Sequence, residues 1–112
     1  MTTPGLEVLQ PRAGAAVVVL TGEHDLASKN SLSTLLSSLL TTHDLVVADL
    51  SAALFIDSST LGVLVSADRI ARDSGKRFRL QLGMEPIVKR ILEISGLLEH
   101  LDCASTREQA LA

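Results

Sequence analysis

Aromatic residues and cysteine are scarce in this chain. Its 112 residues include no Trp, no Tyr and 2 Phe, so it lacks the aromatic surface on which proteins stack the bases of single-stranded nucleic acid. A single cysteine, Cys103, excludes an internal disulfide framework, and no Cys/His cluster has the spacing of metal ligands. The composition therefore argues against a base-stacking platform, a disulfide scaffold and a zinc site.

A net positive charge and long apolar runs are missing as well. The net charge is −3, and residues 1–68 carry seven acids against two bases, so there is no basic footprint for DNA or RNA. The acidic half is either a solvated surface or a face for a basic protein partner. No stretch approaches the roughly 18 apolar residues of a membrane helix, and no signal-peptide pattern begins the chain. We therefore expect a soluble, cytoplasmic protein.

Apolar and β-branched runs are present at regular intervals and predict strands. AAVVVLTG (15–22) and LVVADL (45–50) are typical of buried strands, and the alternating RFRLQL (77–82) is typical of a half-buried one. LEVLQ (6–10) predicts an edge strand, joined to the first buried strand by a hairpin turn. A short strand is expected near residues 100–103.

Apolar residues at helical spacing fill the intervals between these strands. Leucines at positions 32, 35, 36, 39 and 40 form one stripe of a helix, with a cap at Ser28 or Asn30. Three more helices are expected from Ser58 or Ser59 to about Asp73, from Pro86 to Gly96, and in TREQALA (106–112). The alternation predicts one α/β domain over residues 1–112, with a mixed, mostly parallel sheet of four to five strands and about four helices.

FIDSSTLG (55–62) places an acid and three hydroxyls inside an apolar region. Asp57, Ser58 or Ser59 can cap the following helix, but capping explains one such group and not four in succession. The alternative is a site where a strand end meets a helix start. Ser58, His24 and Asp25 are the residue types of a hydrolase triad, but GxSxG is absent and adjacent residues of a strand point apart.

Asp25 and Asp57 each follow a predicted buried strand. If these strands are neighbours, both acids and the hydroxyls lie on one edge of the sheet. A phosphate there would add about −1.5 to −2 charges, which a helix N-terminus tolerates. A partner that brought acids to the same edge would be repelled by the phosphate, and one that brought an apolar contact would have to desolvate it.

Three stretches resemble motifs of STAS domains, in the subclass of bacterial anti-sigma factor antagonists. LTGEHDL (20–26) resembles the family's LTGELD turn, FIDSSTLG its DSSGLG phosphorylation motif, and PIVKRILEISGLLEHL (86–101) its P-x-V-x-R helix and GL exit. The resemblance implies a partner switch without cofactor or enzyme activity. The antagonist binds an anti-sigma factor serine kinase, which frees the sigma factor for transcription. The kinase uses ATP to phosphorylate the serine after the motif's aspartate, and a phosphatase resets it.

Carried over by position, the phosphorylated residue is Ser58. Two positions depart from the family. Thr60 stands where glycine is frequent, and its bulk would slow phosphorylation, change the choice of partner or have no effect. His24 stands where an apolar residue is more usual; we expect a solvated imidazole there, with a pH-sensitive contact as the alternative. The alternative is a STAS module that does not switch and instead binds a nucleotide or lipid, or serves as a subunit of a larger complex such as a transporter. The residues assigned to the partner surface are Glu23, His24, Asp25, Asp57, Ser58, Ser59, Thr60 and Leu61.

Overall fold

The computed structural model describes residues 5–112 and contains one five-stranded sheet. The strands run in spatial order β1-β2-β3-β4-β5, with β1 antiparallel to β2 and all other neighbours parallel. The predicted α/β class and the mixed, mostly parallel sheet are therefore confirmed. The strands are β1 (Leu6–Arg12), β2 (Ala15–His24), β3 (Leu45–Ile56), β4 (Arg77–Gln81) and β5 (Cys103–Ala104).

Five helices are present in the described residues, one more than expected. The extra helix, α4, follows Gly96, whose left-handed backbone (φ 79°) ends α3. Leu97 and Leu98 then pack against the core, so the chain makes a short helix where the sequence suggested only an exit to the last strand. The helices are α1 (Leu26–Thr42), α2 (Ser58–Asp73), α3 (Pro86–Ile94), α4 (Leu97–His100) and α5 (Arg107–Leu111).

The two faces of the sheet are covered unequally. Helices α1 to α4 contribute to the main core on one face, where the predicted leucine stripe of α1 supplies Leu32, Leu36 and Leu40. On the other face, α5 packs Ala110 into a smaller cluster. Parallel strands in sequential order, each followed by a right-handed crossover, bring their helices to the same side.

Two element boundaries differ from the sequence prediction. The cap of α1 is Asp25 and not Ser28 or Asn30, because the Asp25 carboxylate accepts a hydrogen bond from the Ala27 N–H at 2.9 Å. β3 continues six residues past the predicted end at Leu50. These extra residues lack a β-branched run, and their extended conformation comes from pairing with β2, across register shifts near residues 19–23.

The end of β3 has a strand neighbour on one side only. β4 pairs with β3 as far as Asp49, whereas β2 pairs with it as far as Ile56. The carboxyl ends of β2 and β3 therefore project beyond the rest of the sheet as a two-stranded ribbon. The polar motifs predicted from the sequence lie at the tip of this ribbon.

Candidate functional site

The two predicted acids lie side by side at the tip of the β2–β3 ribbon. His24 is paired with Ile56 in the last register position of the two strands, and Asp25 and Asp57 are the residues that follow. The Asp57 N–H donates to the His24 carbonyl at 3.1 Å, which fixes one chain to the other at this point. The expected juxtaposition on one sheet edge is present, and each acid caps the helix that it precedes.

The Asp57 carboxylate is surrounded by donors. Its Oδ1 accepts the Ser59 hydroxyl at 2.6 Å and the Thr60 N–H at 3.0 Å, and the Thr60 hydroxyl lies 3.3 Å away. The Ser59 hydroxyl, followed by the Thr60 N–H, holds the pKa of Asp57 below its usual range. The cap is therefore a stabilised anion at the positive end of α2.

The three successive hydroxyls occupy three different environments. Ser58 is exposed, and its side chain makes no hydrogen bond to any residue in 5–112. Ser59 is half-buried and donates to Asp57. Thr60 is fully buried, and its hydroxyl lies 3.1 Å from the His24 carbonyl oxygen. Within the described chain, Ser58 is therefore the hydroxyl of this run that is open to a second molecule.

The His24 side chain is buried, so the expectation of a solvated imidazole is wrong. It is 1% exposed, and its Nε2 lies 3.1 Å from the carbonyl oxygens of both Gly5 and Thr21. Two carbonyls can only accept, so Nε2 carries a proton and donates to them. The other ring nitrogen, Nδ1, lies 3.1 Å from the Ser28 hydroxyl.

This arrangement has two consequences for the sequence-based hypotheses. The His24 ring is engaged with Gly5, Thr21 and Ser28, so it does not form the nucleophile–base pair that a hydrolase would need with Ser58. The buried side chains of His24 and Thr60 also cannot contact a partner directly in this conformation. A contribution of either to the predicted partner surface would be indirect.

The remaining residues assigned to that surface divide by exposure. Glu23 and Asp25 are exposed, whereas Leu61 is half-buried and packs against the main core. Sequence reasoning missed two apolar residues near the site, Leu54 and Phe55, which are 59% and 40% exposed. The sequence contained a sign of this exposure, because three consecutive apolar residues of a strand (54–56) cannot all face one core.

A depression of about 450 Å³ opens beside the projecting end of β3, where β4 has ended. It is lined by residues 51–54 of β3, by residues 81–85 and by Ser105. Gly83 lies so close to β3 that a Cβ there would be 2.6 Å from the Ser51 Cα. Glu85 is the charged residue of the lining.

Two further observations apply to the part of the chain that the structure describes. No group of three or more His, Cys, Asp or Glu side chains there is arranged to hold a metal ion. No helix there combines the length and the apolar composition needed to cross a membrane.

Comparison with known proteins places the chain in a family. Residues 8–102 match the family model described as "Mlab, STAS domain", and the chain belongs to the STAS domain family. No curated protein sequence matches the chain.

Solved structures of anti-sigma factor antagonists share the fold. The antagonist of Mycobacterium paratuberculosis has a TM-score of 0.82 and 23% identity, over 99% of this chain and 96% of that one. For unphosphorylated SpoIIAA the TM-score is 0.80 and the identity 21%, over 95% of this chain and 92% of that one. For the phosphorylated form of Bacillus SpoIIAA, a cell fate determinant, the TM-score is 0.73 and the identity 20%, over 95% of this chain and 96% of that one. These likenesses establish the SpoIIAA-like α/β fold.

Proposed function

We propose that this protein is an anti-sigma factor antagonist that binds an anti-sigma factor serine kinase and is switched off by phosphorylation of Ser58. It would act in the cytoplasm as a binding protein without enzyme activity. A serine phosphatase would restore the binding form. The regulated output would be transcription that depends on a sigma factor, with no direct contact between this chain and nucleic acid or membrane.

The observation that carries the proposal is the position of Ser58. Its hydroxyl is exposed at the first residue of α2, beside the caps of two helices, and has no hydrogen bond within residues 5–112. A kinase can therefore reach it without breaking an internal bond. The N–H groups at the start of a helix accommodate an added phosphate within the folded protein.

The surroundings of Ser58 support a protein partner. Asp25 and Glu23 are exposed acids of the β2 end, and Glu23 is paired with Phe55, whose ring is partly exposed on the neighbouring strand. This combination suits a partner face that carries basic and apolar groups. A phosphate on Ser58 would raise the negative charge and the hydration of the same surface, and an apolar contact there would be lost.

Phosphorylation by a cognate kinase is the direct test. We would incubate the purified protein with the kinase and ATP and locate the phosphate by mass spectrometry. Wild type and Ser59→Ala should be labelled at residue 58, whereas Ser58→Ala should not be labelled. Ser59→Ala is the matched control because it removes a neighbouring hydroxyl of the same size.

Binding is tested separately, with phosphoserine placed at residue 58 during protein synthesis. The unmodified protein should bind the kinase, and the modified protein should bind much more weakly. Normal labelling of Ser58→Ala would exclude Ser58 as the modified residue. Equal binding of the two forms would exclude the switch.

The depression beside β3 favours one alternative, a STAS module that binds a small molecule. Its volume of about 450 Å³ lies within the range of small-ligand sites, about 300–1,000 Å³. Calorimetry with nucleotides, and with short-chain phospholipids, would test it. Micromolar binding together with no kinase interaction would favour this function over the antagonist.

A further inference from the structure

The Thr60 hydroxyl lies between two acceptors that belong to different parts of the fold. Its Oγ1 is 3.1 Å from the His24 carbonyl oxygen and 3.3 Å from Asp57 Oδ1. A hydroxyl has one hydrogen and donates fully to one acceptor at a time. The shorter distance favours donation to His24 in this unmodified state. The residue is 0% exposed, so water does not compete for the hydrogen.

The His24 carbonyl is the point where the first turn of α2 meets the β2–α1 corner, residues 23–26, where β2 ends and α1 begins. It accepts both the Asp57 N–H and the Thr60 hydroxyl. The same peptide group continues into Asp25, the exposed acid that caps α1. The His24 ring holds the Gly5 and Thr21 carbonyls on the other side. A change at this carbonyl is therefore transmitted through the backbone to Asp25.

We propose that Thr60 couples the modification state of Ser58 to the β2–α1 corner through the choice of acceptor for its hydroxyl hydrogen. This inference rests on the proposed function, because it concerns the same modified serine. A phosphate on Ser58 makes the potential at the adjacent Asp57 carboxylate more negative. The carboxylate, which is farther away (3.3 Å against 3.1 Å) but charged, then attracts the hydroxyl hydrogen more strongly, and the hydrogen leaves the His24 carbonyl. The His24–Asp25 peptide group is less polarised as a result.

The coupling gives Thr60 a role that the family's usual glycine cannot fill, because glycine has no hydroxyl. Asp25 and Glu23 are part of the surface assigned to the partner, and both adjoin the His24 peptide group in sequence. Phosphorylation would thus change the partner surface at two places, directly at Ser58 and indirectly at the β2–α1 corner. Thr60 acts here as a positioning residue, since its side chain is fully buried and acts through the His24 carbonyl.

NMR of protein that carries phosphoserine at residue 58 tests the coupling. The phosphoserine is introduced during synthesis, so no kinase is needed. The readouts are the carbonyl ¹³C shift of His24 and the amide ¹⁵N shift of Asp25, each compared between modified and unmodified protein. We would measure wild type, Thr60→Ser, which keeps the hydroxyl, and Thr60→Val, which keeps the branched shape without it. Thr60→Gly provides a second hydroxyl-free variant should the valine protein not fold.

We expect modification to change the His24 and Asp25 shifts in wild type and in Thr60→Ser. The change should be clearly smaller in Thr60→Val and in Thr60→Gly. Equal changes in all four proteins would overturn the coupling, because the electrostatic effect of the phosphate would then reach His24 without the hydroxyl. Failure of the kinase to label Ser58 would refute the proposed function and would leave this measurement unaffected.

Discussion

The Ser59 hydroxyl donates to Asp57 Oδ1 over 2.6 Å, while the side chain of Ser58, one residue earlier, bonds to nothing in residues 5–112. Helix geometry explains the difference. An aspartate at the N-cap reaches groups of the second and third helical residues, and the first helical residue points away from it. In the order Asp-Ser-Ser, the cap therefore holds the second serine and leaves the first one free. The same geometry that stabilises α2 leaves Ser58 as the exposed hydroxyl of the pair.

The two serines should differ in their effect on stability. Ser59→Ala removes a donor from the Asp57 carboxylate and should lower the free energy of unfolding by about 1 kcal/mol. Ser58→Ala removes an exposed group without a partner and should change it by less than about 0.5 kcal/mol. Urea unfolding, followed by circular dichroism, measures both. A larger loss for Ser58→Ala than for Ser59→Ala would contradict the hydrogen-bond assignment.

The alternation of strands and helices was predictable because each element has its own local spacing of apolar residues. The end of β3 was not, because residues 51–56 become a strand only by pairing with β2. The extra helix α4 was not predictable either, because it forms where Leu97 and Leu98 pack against the main core, a tertiary contact without a local sequence pattern.

The site was predictable in part. The edge position of Asp25 and Asp57 follows from parallel strand order. The cap of α2 was among the predicted candidates, whereas the cap of α1 was predicted at Ser28 or Asn30 and is Asp25. The burial of His24 was not predictable, because its partners include the Gly5 carbonyl, 19 residues away on the chain. Gly5 itself must be glycine, since a Cβ there would lie 2.9 Å from the Thr21 carbonyl oxygen and φ is +78°. Such tertiary contacts leave no periodic signal.

The Asp57 cap should make stability depend on pH. Its pKa is lowered in the folded protein by the Ser59 hydroxyl and the Thr60 N–H, so the unfolded chain binds the proton more tightly. The stabilisation is complete above the unfolded pKa of about 3.9 and is lost as pH falls through the lower folded value. Asp57→Asn keeps a capping oxygen but does not titrate.

The measurement is the difference in unfolding free energy between wild type and Asp57→Asn, from about pH 6 down to about pH 2.5. We expect wild type to be the more stable protein at the upper end and the advantage to shrink on acidification. Glu7→Gln is the control, because Glu7 is exposed on β1 and its side chain makes no ion pair or hydrogen bond in the described residues. A pH-independent difference for Asp57→Asn would show that the anion is not stabilised in the fold.

A largely buried ion pair is one of the contacts that hold α5 against the sheet. Arg107 Nη2 lies 2.6 Å from Asp49 Oδ2, with the Asp49 side chain 3% and the Arg107 side chain 36% exposed. Arg107→Ala leaves the Asp49 carboxylate with the Ser51 N–H as its partner and also removes the Arg107 Nε donor from Gln81 Oε1. We expect the free energy of unfolding to fall by about 2 kcal/mol, which is less than for a fully buried pair because Arg107 is partly solvated.

A double-mutant cycle isolates this pair. The loss of unfolding free energy in the double variant Asp49→Asn, Arg107→Ala should be smaller than the sum of the losses in the two single variants, because no uncompensated charge remains. Arg69→Ala is the matched control, since Arg69 is exposed and makes no hydrogen bond or ion pair in the described chain; it should change stability by less than about 0.5 kcal/mol. Additive losses in the cycle would show that the two side chains do not interact.

Two glycines should respond to alanine in opposite directions. Gly62 lies in α2, and a Cβ there would meet no atom within 4 Å, so Gly62→Ala should stabilise the protein by about 0.5–1 kcal/mol through helix propensity.

Gly83 packs against β3, where a Cβ would lie 2.6 Å from the backbone of Ser51. Gly83→Ala must therefore push the loop after β4 away from β3, and we expect a loss of about 1–3 kcal/mol, as for other overpacked positions. Thermal unfolding of both variants measures the effects, with the direction of change at each site as the readout. Stabilisation by Gly83→Ala would mean that the loop does not approach β3 this closely, and the wall of the adjacent depression would then have to lie elsewhere.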